Sequence, residues 1–487
     1  MRPHGSFSPG ASPGCGLRLA VALLAASALH AALIVPEALP DPSIPGFNFP
    51  ESEATVTGWI SEMTRGQTVA GAVAAAEKLH RHGWGLWTAL TQETGQVYEG
   101  QRLRIFETWL TPDDLTEFPA WRSVSSLAQV PRRRAALQSF VQLTGPNDAP
   151  VGSDLASALA TPPPVPRIVG FVKYDPTAAE HILRQNLLST ATLNTLLLGG
   201  AQQIPVFPAT ALVVKPLFQV VRTGDLVEGR YYPLRVWPGP PETPQALPPA
   251  QWPEVVWIDL FGGGAGRGAT DPLASADGRS RTDATTYPLS SLIHYRLSAG
   301  DAAMLNADKP GTGAQEGDFA LLVAMHVTGR EITRWTWQTF WWTPAPDEPR
   351  TPSSAAIASL RPSQLRGAAR NYAMALAYTM LLPDQPQVRG ENRGAAVYAY
   401  NPWIEARFSP ADLPDSLPGQ DPNGQPATNN FGVQTNCMSC HAQANYNPGR
   451  LATAPRFAGA RYVDLADPAF AGTLQVDFLW SIARHAK

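Results

Sequence analysis

The segment DFALLVAMHVTGREITRWTWQTFWW, residues 318–342, holds two apolar runs separated by a short polar stretch. The first run, Phe319–Val327, ends where Thr328-Gly329-Arg330 predicts a turn. The return run places Trp335, Trp337 and Trp341 on one face, because alternate residues of a strand share a face. The segment therefore predicts an antiparallel hairpin buried in the core.

Outward from this hairpin, the pattern predicts a mixture of strands and helices. Strands are expected at Gln101–Trp109, Thr210–Val221, Tyr231–Val236 and Glu254–Leu260. Helices are expected at Thr68–His82, with Gly83 as terminator, and at Pro131–Thr144, Asp175–Leu198, Gln364–Leu382 and Leu474–Ala486. Proline- or glycine-rich loops are expected at Thr161–Arg167, Trp237–Pro253 and Gly262–Tyr287. The predicted class is α+β, a large mixed domain with long loops.

The composition is that of a globular protein with stiffened loops. Of 487 residues, 44% are hydrophobic and 16% charged, with 48 prolines and 40 glycines. The formal net charge of -3 offers no strongly basic face to neutralise phosphates. This excludes nucleic acid as an expected partner.

Residues 1–36 are typical of an export signal. Arg2 and Arg18 precede an apolar run at Leu19–Leu29, and small residues around Ala28 suit a signal peptidase. The apolar stretch is nearly long enough to span a membrane, so an uncleaved N-terminal anchor is the alternative. Either way the expected location of the rest of the chain is the periplasm.

Export leaves two cysteines in the motif Cys437-Met438-Ser439-Cys440-His441, because the third, Cys15, lies in the export segment. The two thiols stand about one helical turn apart, and each can form a thioether with a haem vinyl group. His441 then follows as the proximal iron ligand. Asn436 is a suitable N-cap for this short helix.

A disulfide and a zinc site are the two other interpretations of the motif. A disulfide accounts for the thiols but leaves the adjacent histidine unexplained. A zinc site needs further ligands at a second spacing, and no other cysteine survives export. The sequence therefore predicts one covalently bound haem c at Cys437, Cys440 and His441.

Around these residues the chain resembles the c-type cytochrome superfamily. Three segments, Ala324–Trp342, Tyr400–Phe408 and Asn436–Ala444, are similar to a group of large exported bacterial proteins with one C-terminal CxxCH motif. The resemblance implies covalent haem and leaves the reaction open. It implies a large domain at 37–430 and a haem-binding segment at 431–487.

The sixth iron position is not assigned by the motif. Small soluble cytochromes c have a methionine ligand after the motif, but the 46 residues that follow His441 contain none. His485 is the one histidine among them, near a chain end where exposure is the usual state. Upstream, Met325 and His326 occupy opposite faces of the first hairpin strand, so one of them looks toward whatever that sheet face covers. A histidine there needs a hydrogen-bond partner or an iron.

Three functions are compatible with these features. Electron transfer with a redox partner protein is the leading one. The alternatives are a haem enzyme with an open iron site for a small molecule, suggested by the missing methionine, and a haem-based ligand-binding or sensory protein. Whether the chain is an enzyme stays open at this point. Arg330 and Arg334 are minor candidates for binding the haem propionates.

Overall fold

Two long buried strands, Phe319–Gly329 and Thr336–Trp342, form the centre of the fold. The computed structural model describes residues 34–66, 68–116, 124, 138–139, 167–264, 266, 268, 270–272, 281–308, 312–384, 393–410, 431–449 and 462–487. The expected export segment and the expected helix at Pro131–Thr144 lie largely outside these residues. Among the described helices, none has the length and apolar character needed to cross a membrane.

The described helices are α1 Glu53–Arg65, α2 Val69–Leu90, α3 Ile105–Thr108, α4 Pro112–Thr116, α5 Pro176–Gln185, α6 Thr190–Leu198, α7 Ala299–Asp308, α8 Ala355–Ala358, α9 Cys437–His441 and α10 Trp480–His485. The strands are β1 Glu93–Tyr98, β2 Gln101–Arg104, β3 Gln138–Ser139, β4 Ile168–Gly170, β5 Lys173–Tyr174, β6 Leu212–Val221, β7 Tyr231–Val236, β8 Glu254–Asp259, β9 Asp271–Pro272, β10 Thr286–Pro288, β11 His294–Arg296, β12 Phe319–Gly329, β13 Thr336–Trp342, β14 Tyr372–Leu376, β15 Leu381–Asp384, β16 Arg393–Ala396, β17 Asn445–Tyr446 and β18 Leu474–Gln475.

The main sheet has the order β14-β13-β12-β6-β4-β3, with β11 also paired to β12 and β5 to β6. Strands β10, β8 and β7 form a second, separate sheet in that order, and β9 also pairs with β8. Helices and open sheets together confirm the predicted α+β class. The strands of the main sheet pair antiparallel, so residues opposite one another share a face.

One face of the main sheet packs against the long helix α2. Phe340 of β13 stacks on Trp87 of α2, with ring centroids 4.3 Å apart. Gly83 does not end this helix, contrary to expectation. A Cβ at Gly83 would lie 2.8 Å from Met374 Sδ, so the missing side chain permits the close approach of helix and sheet. The helix continues to Leu90 because its second half is buried.

Several predicted elements differ in the structure. The expected helix Gln364–Leu382 is instead a short 3-10 turn followed by β14, because a strand buried on both faces has the same all-apolar pattern as a buried helix. The expected strand Gln101–Trp109 ends at Arg104 and gives way to α3. The helix Asp175–Leu198 divides into α5 and α6 at Asn186, which is left-handed. Near the C-terminus the expected helix begins only at Trp480.

Candidate functional site

The motif Cys437–His441 forms the short helix α9, as expected. Asn436 caps it: its side-chain oxygen accepts a hydrogen bond from Ser439 N at 3.1 Å. The Asn436 amide also donates to the carbonyl oxygens of Thr379 and Val397, at 3.1 and 2.8 Å. The cap residue therefore both starts the helix and ties it to the strand region that precedes it in the chain.

The side chains of α9 divide by exposure according to their chemistry. Met438 and Ser439 are fully buried. Cys437, Cys440 and His441 are largely buried but keep some exposure, and neither thiol is in a disulfide. The three residues expected to bind haem are therefore less buried than the two between the cysteines, which anchor the helix.

The imidazole of His441 is held in one orientation. Its Nδ1 lies 2.8 Å from the carbonyl oxygen of Phe478, which can only accept, so Nδ1 carries the proton. Its ring lies against Trp337 of β13, with centroids 4.1 Å apart. With Nδ1 engaged, the basic lone pair is on Nε2, the atom that an iron ligand needs.

The motif faces the side of the main sheet opposite α2. Lys215, His326 and Thr339 are register partners on β6, β12 and β13, so they form a row on one face. Trp337, two residues from Thr339 on β13, is on that same face and contacts His441. We call this row, together with Trp337, the sheet recess.

Glu405 adds a carboxylate to the sheet recess. One of its oxygens lies 3.0 Å from His326 Nε2, and the other accepts from Asn401 N at 2.6 Å. Asn401 in turn donates to Thr339 Oγ1 at 2.7 Å. A Cβ at Gly432 would lie 1.5 Å from the Glu405 carbonyl oxygen, so this segment packs directly on the chain that leads into the motif.

Burial and nearby charges set the ionisation of the motif. Burial raises the pKa of Cys440 to about 12 and that of Cys437 well above its usual range, and the charge of Glu405 raises both further. Burial lowers the pKa of His441 to about 3, with Lys215 and His326 adding to the effect. Burial also lowers the pKa of Lys215 to about 7. The imidazole is therefore neutral at ordinary pH, the form that binds a metal.

The two candidates for the sixth iron position are separated by the sheet. His326 belongs to the sheet recess, and 9% of its surface is exposed. Its partner there is Glu405, which supplies the hydrogen bond expected for a histidine in this strand. Met325 is fully buried on the opposite face, beside Phe340 in the register and thus on the α2 side. His485, the last residue of α10, is half-buried.

The two arginines considered for propionate binding have other partners. Arg330 pairs with Asp477, with Nε 3.2 Å from Oδ2. Arg334 donates to the carbonyl oxygen of Val463 at 2.9 Å. The cation whose charge bears on the motif is instead Lys215, which lowers the pKa of His441, and Arg484 in turn lowers the pKa of Lys215.

The sequence did not single out Lys215, Glu405 or Phe478. Lys215 carried a weak signal, since it is a charged residue in a strand whose other residues are buried. Glu405 and Phe478 reach the motif through tertiary contacts across long separations, which no local pattern encodes. The three segments that carry the family resemblance meet at this site. The first contributes His326 and Trp337, the second Glu405, and the third the motif itself.

Comparison of the chain with protein-family models, with curated proteins and with solved structures finds no match. No described group of three or more His, Cys, Asp or Glu side chains is arranged to hold a bare metal ion. A haem places a smaller demand on the chain, since the porphyrin supplies four ligands and the motif needs to add one. The two thiols of Cys437 and Cys440 and the oriented imidazole of His441 have the chemistry that such a group needs.

Proposed function

We propose that this protein is an exported c-type cytochrome that carries one haem on Cys437 and Cys440, with His441 as the proximal iron ligand, and that it transfers electrons to or from a redox partner protein. The observation that carries the proposal is the hydrogen bond from His441 Nδ1 to Phe478 O, which leaves Nε2 for iron beside two thiols that form no disulfide. When bound, the haem supplies the one-electron change of its iron.

The chain's own residues have four roles in this proposal. Cys437 and Cys440 hold the group covalently, and Phe478 fixes the imidazole tautomer. Trp337 and the sheet around it exclude water from the proximal side, which shifts the potential of a buried iron. Lys215 and Arg484 are the cations we assign to the haem propionates, in place of Arg330 and Arg334.

Covalent attachment is tested by denaturing electrophoresis followed by haem peroxidase staining of the chain produced with a cytochrome c maturation system. We expect the wild-type band to stain and the double variant Cys437→Ser/Cys440→Ser to lose the stain. The variant Met438→Leu, between the two thiols, is the matched control and should keep it. A wild-type band that loses its haem on denaturation would overturn the proposal.

For the sixth position we infer His326, because it lies on the recess side of the sheet and Met325 does not. Glu405 holds Nε2 of His326, so Nδ1 is the ring nitrogen left for iron, and the carboxylate orients the ring. The reduced wild-type protein is then expected to be low-spin and to resist carbon monoxide. His326→Ala should become high-spin and bind carbon monoxide, while Met325→Leu should behave as wild type. Low-spin His326→Ala would remove His326 from consideration.

A second candidate function is small-molecule chemistry at an open iron. It is favoured by the polar character of the recess, where Lys215, His326 and Glu405 stand together instead of a thioether. Ready binding of carbon monoxide by the reduced wild-type protein would support this candidate over electron transfer.

A further inference from the structure

The turn that meets His441 has an unusual backbone. Asp477 and Phe478 are consecutive non-glycine residues with φ of 46° and 67°, both in the left-handed region. Such conformations are disfavoured for residues with a Cβ and persist only where the surroundings enforce them. The turn directs the carbonyl of Phe478 at His441 Nδ1.

The Asp477 carboxylate is the group that holds this turn. It accepts hydrogen bonds from Phe207 N at 3.0 Å, from Arg330 Nε at 3.2 Å and from Trp335 Nε1 at 3.3 Å. Its side chain is 2% exposed and that of Arg330 10%, so the ion pair is shielded from solvent. Three donors from two separate parts of the chain thus fix one carboxylate.

Two of those donors come from the turn of the central hairpin. Arg330 and Trp335 lie between β12 and β13, and Trp335 is itself left-handed with φ of 59°. The proximal histidine also contacts Trp337, two residues further on. Asp477 therefore couples the hairpin turn to the orientation of His441 through the Phe478 carbonyl.

We propose that Asp477 is a positioning residue for the proximal haem ligand: with Arg330 and Trp335 it holds the left-handed turn that keeps the Phe478 carbonyl on His441, and thereby sets the reduction potential. This inference rests on the proposed haem attachment. Asp477→Asn keeps the shape and suits left-handed backbone, but removes the charge that opposes Arg330. The variant weakens the hydrogen bond from His441 to the Phe478 carbonyl and leaves the positive charge of Arg330 without its partner. Both changes disfavour oxidised iron.

The test compares Asp477→Asn with Asp225→Asn. Asp225 is likewise paired with arginines, Arg167 and Arg222, at the far end of β6, and its side chain is 9% exposed. Wild type and both variants are first stained for covalent haem. A wild-type protein without stain would mean that the haem proposal itself has failed. We then expect Asp477→Asn to shift the ratio of reduced to oxidised protein at a fixed potential about tenfold toward reduced, about 59 mV for one electron. Asp225→Asn should leave it unchanged.

A second readout separates positioning from general damage. In the reduced protein, exchange of the His441 Nδ1 proton measured by NMR should be faster in Asp477→Asn and unchanged in Asp225→Asn. Should Asp477→Asn fail to accumulate, Arg330→Gln replaces it. That variant removes one of the donors that hold the turn, so exchange of the His441 Nδ1 proton should again be faster than in wild type. Equal potentials and exchange rates in wild type and the variants would overturn the inference.

Discussion

At the scale of single residues, Asn436 has more partners than a helix cap requires. Its oxygen caps α9, and its amide satisfies the carbonyl oxygens of Thr379 and Val397. We expect Asn436→Ala to lower the free energy of unfolding by about 2–3 kcal/mol, since it removes a cap and leaves buried acceptors without partners. Thermal unfolding and haem stain per chain measure the effect.

The control for Asn436 is Ser52→Ala, at the exposed N-cap of α1, which accepts only from Thr55. It should cost about 1 kcal/mol and leave haem content unchanged. Equal losses of stability and haem in the two variants would show that Asn436 is no more than an ordinary cap.

The sequence predicts the role of a residue where that role depends on its neighbours in the chain. It does not predict roles that depend on contacts between distant segments. Asn436 was predicted as an N-cap from its position before the motif, and the structure confirms it. A hydrogen-bonding partner for His326 was expected, but not that Glu405 would be that partner, 79 residues away. Asp477 holds the turn beside His441, and nothing in the neighbouring sequence predicts this role. Its left-handed backbone is fixed by tertiary contacts.

At the scale of elements, the fit of α2 on the sheet depends on Gly83. A methyl group there would meet Met374 and Leu376 at 2.8 and 2.9 Å, so helix and sheet must separate or repack. We expect Gly83→Ala to lower the free energy of unfolding by about 1–3 kcal/mol despite the better helix propensity of alanine. Chemical denaturation followed by tryptophan fluorescence measures it.

Gly58 in the exposed part of α1 is the matched control, because a Cβ there has no neighbour within 4 Å. Gly58→Ala should raise the free energy of unfolding by about 0.5–1 kcal/mol. The two substitutions should therefore have opposite signs. A stabilising Gly83→Ala would mean that the helix does not lie as close to β14 as described.

Asp175 gives the junction of α5 and β6 a dependence on pH. Its Oδ1 accepts from Ala178 N and Leu212 N, and burial raises its pKa from 3.8 to about 6. The folded state therefore favours the protonated carboxyl. The contribution of Asp175 to the free energy of unfolding is complete below about pH 4 and is lost as the pH rises through about 6. Two pKa units correspond to about 3 kcal/mol.

Urea unfolding of wild type and Asp175→Asn between pH 4 and 7 tests this. The amide keeps the acceptor and cannot ionise, so wild type should lose stability relative to the variant across that interval. A difference between the two proteins that stays constant with pH would contradict the assigned shift.

The errors in predicted elements share one physical origin. Strands buried on both faces, such as β14, lose the alternation that distinguishes a strand from a buried helix. The hairpin was recognised in spite of this, because the residues between its runs are a strong turn signal. Its observed turn is longer than predicted, since β12 continues to Gly329 and β13 starts at Thr336.

At the scale of the whole molecule, the C-terminal segment shares its core with the main sheet. Met438 and Val476 are fully buried in the same hydrophobic cluster as Val213 and Trp337. Residues 32–487 accordingly form one compact unit.

This shared core predicts how the segment behaves alone. Expressed with maturation machinery, Phe431–Lys487 should be unstable or rapidly degraded, because separation exposes Met438, Val476 and the ring of His441 that Trp337 covers. Domains of about 55 residues are marginal even with a complete core. Pulse-chase of the fragment and of the full chain, both stained for haem, measures the difference in lifetime. A fragment as long-lived as the full chain, with the same spectrum, would show that the segment encloses its haem without the sheet.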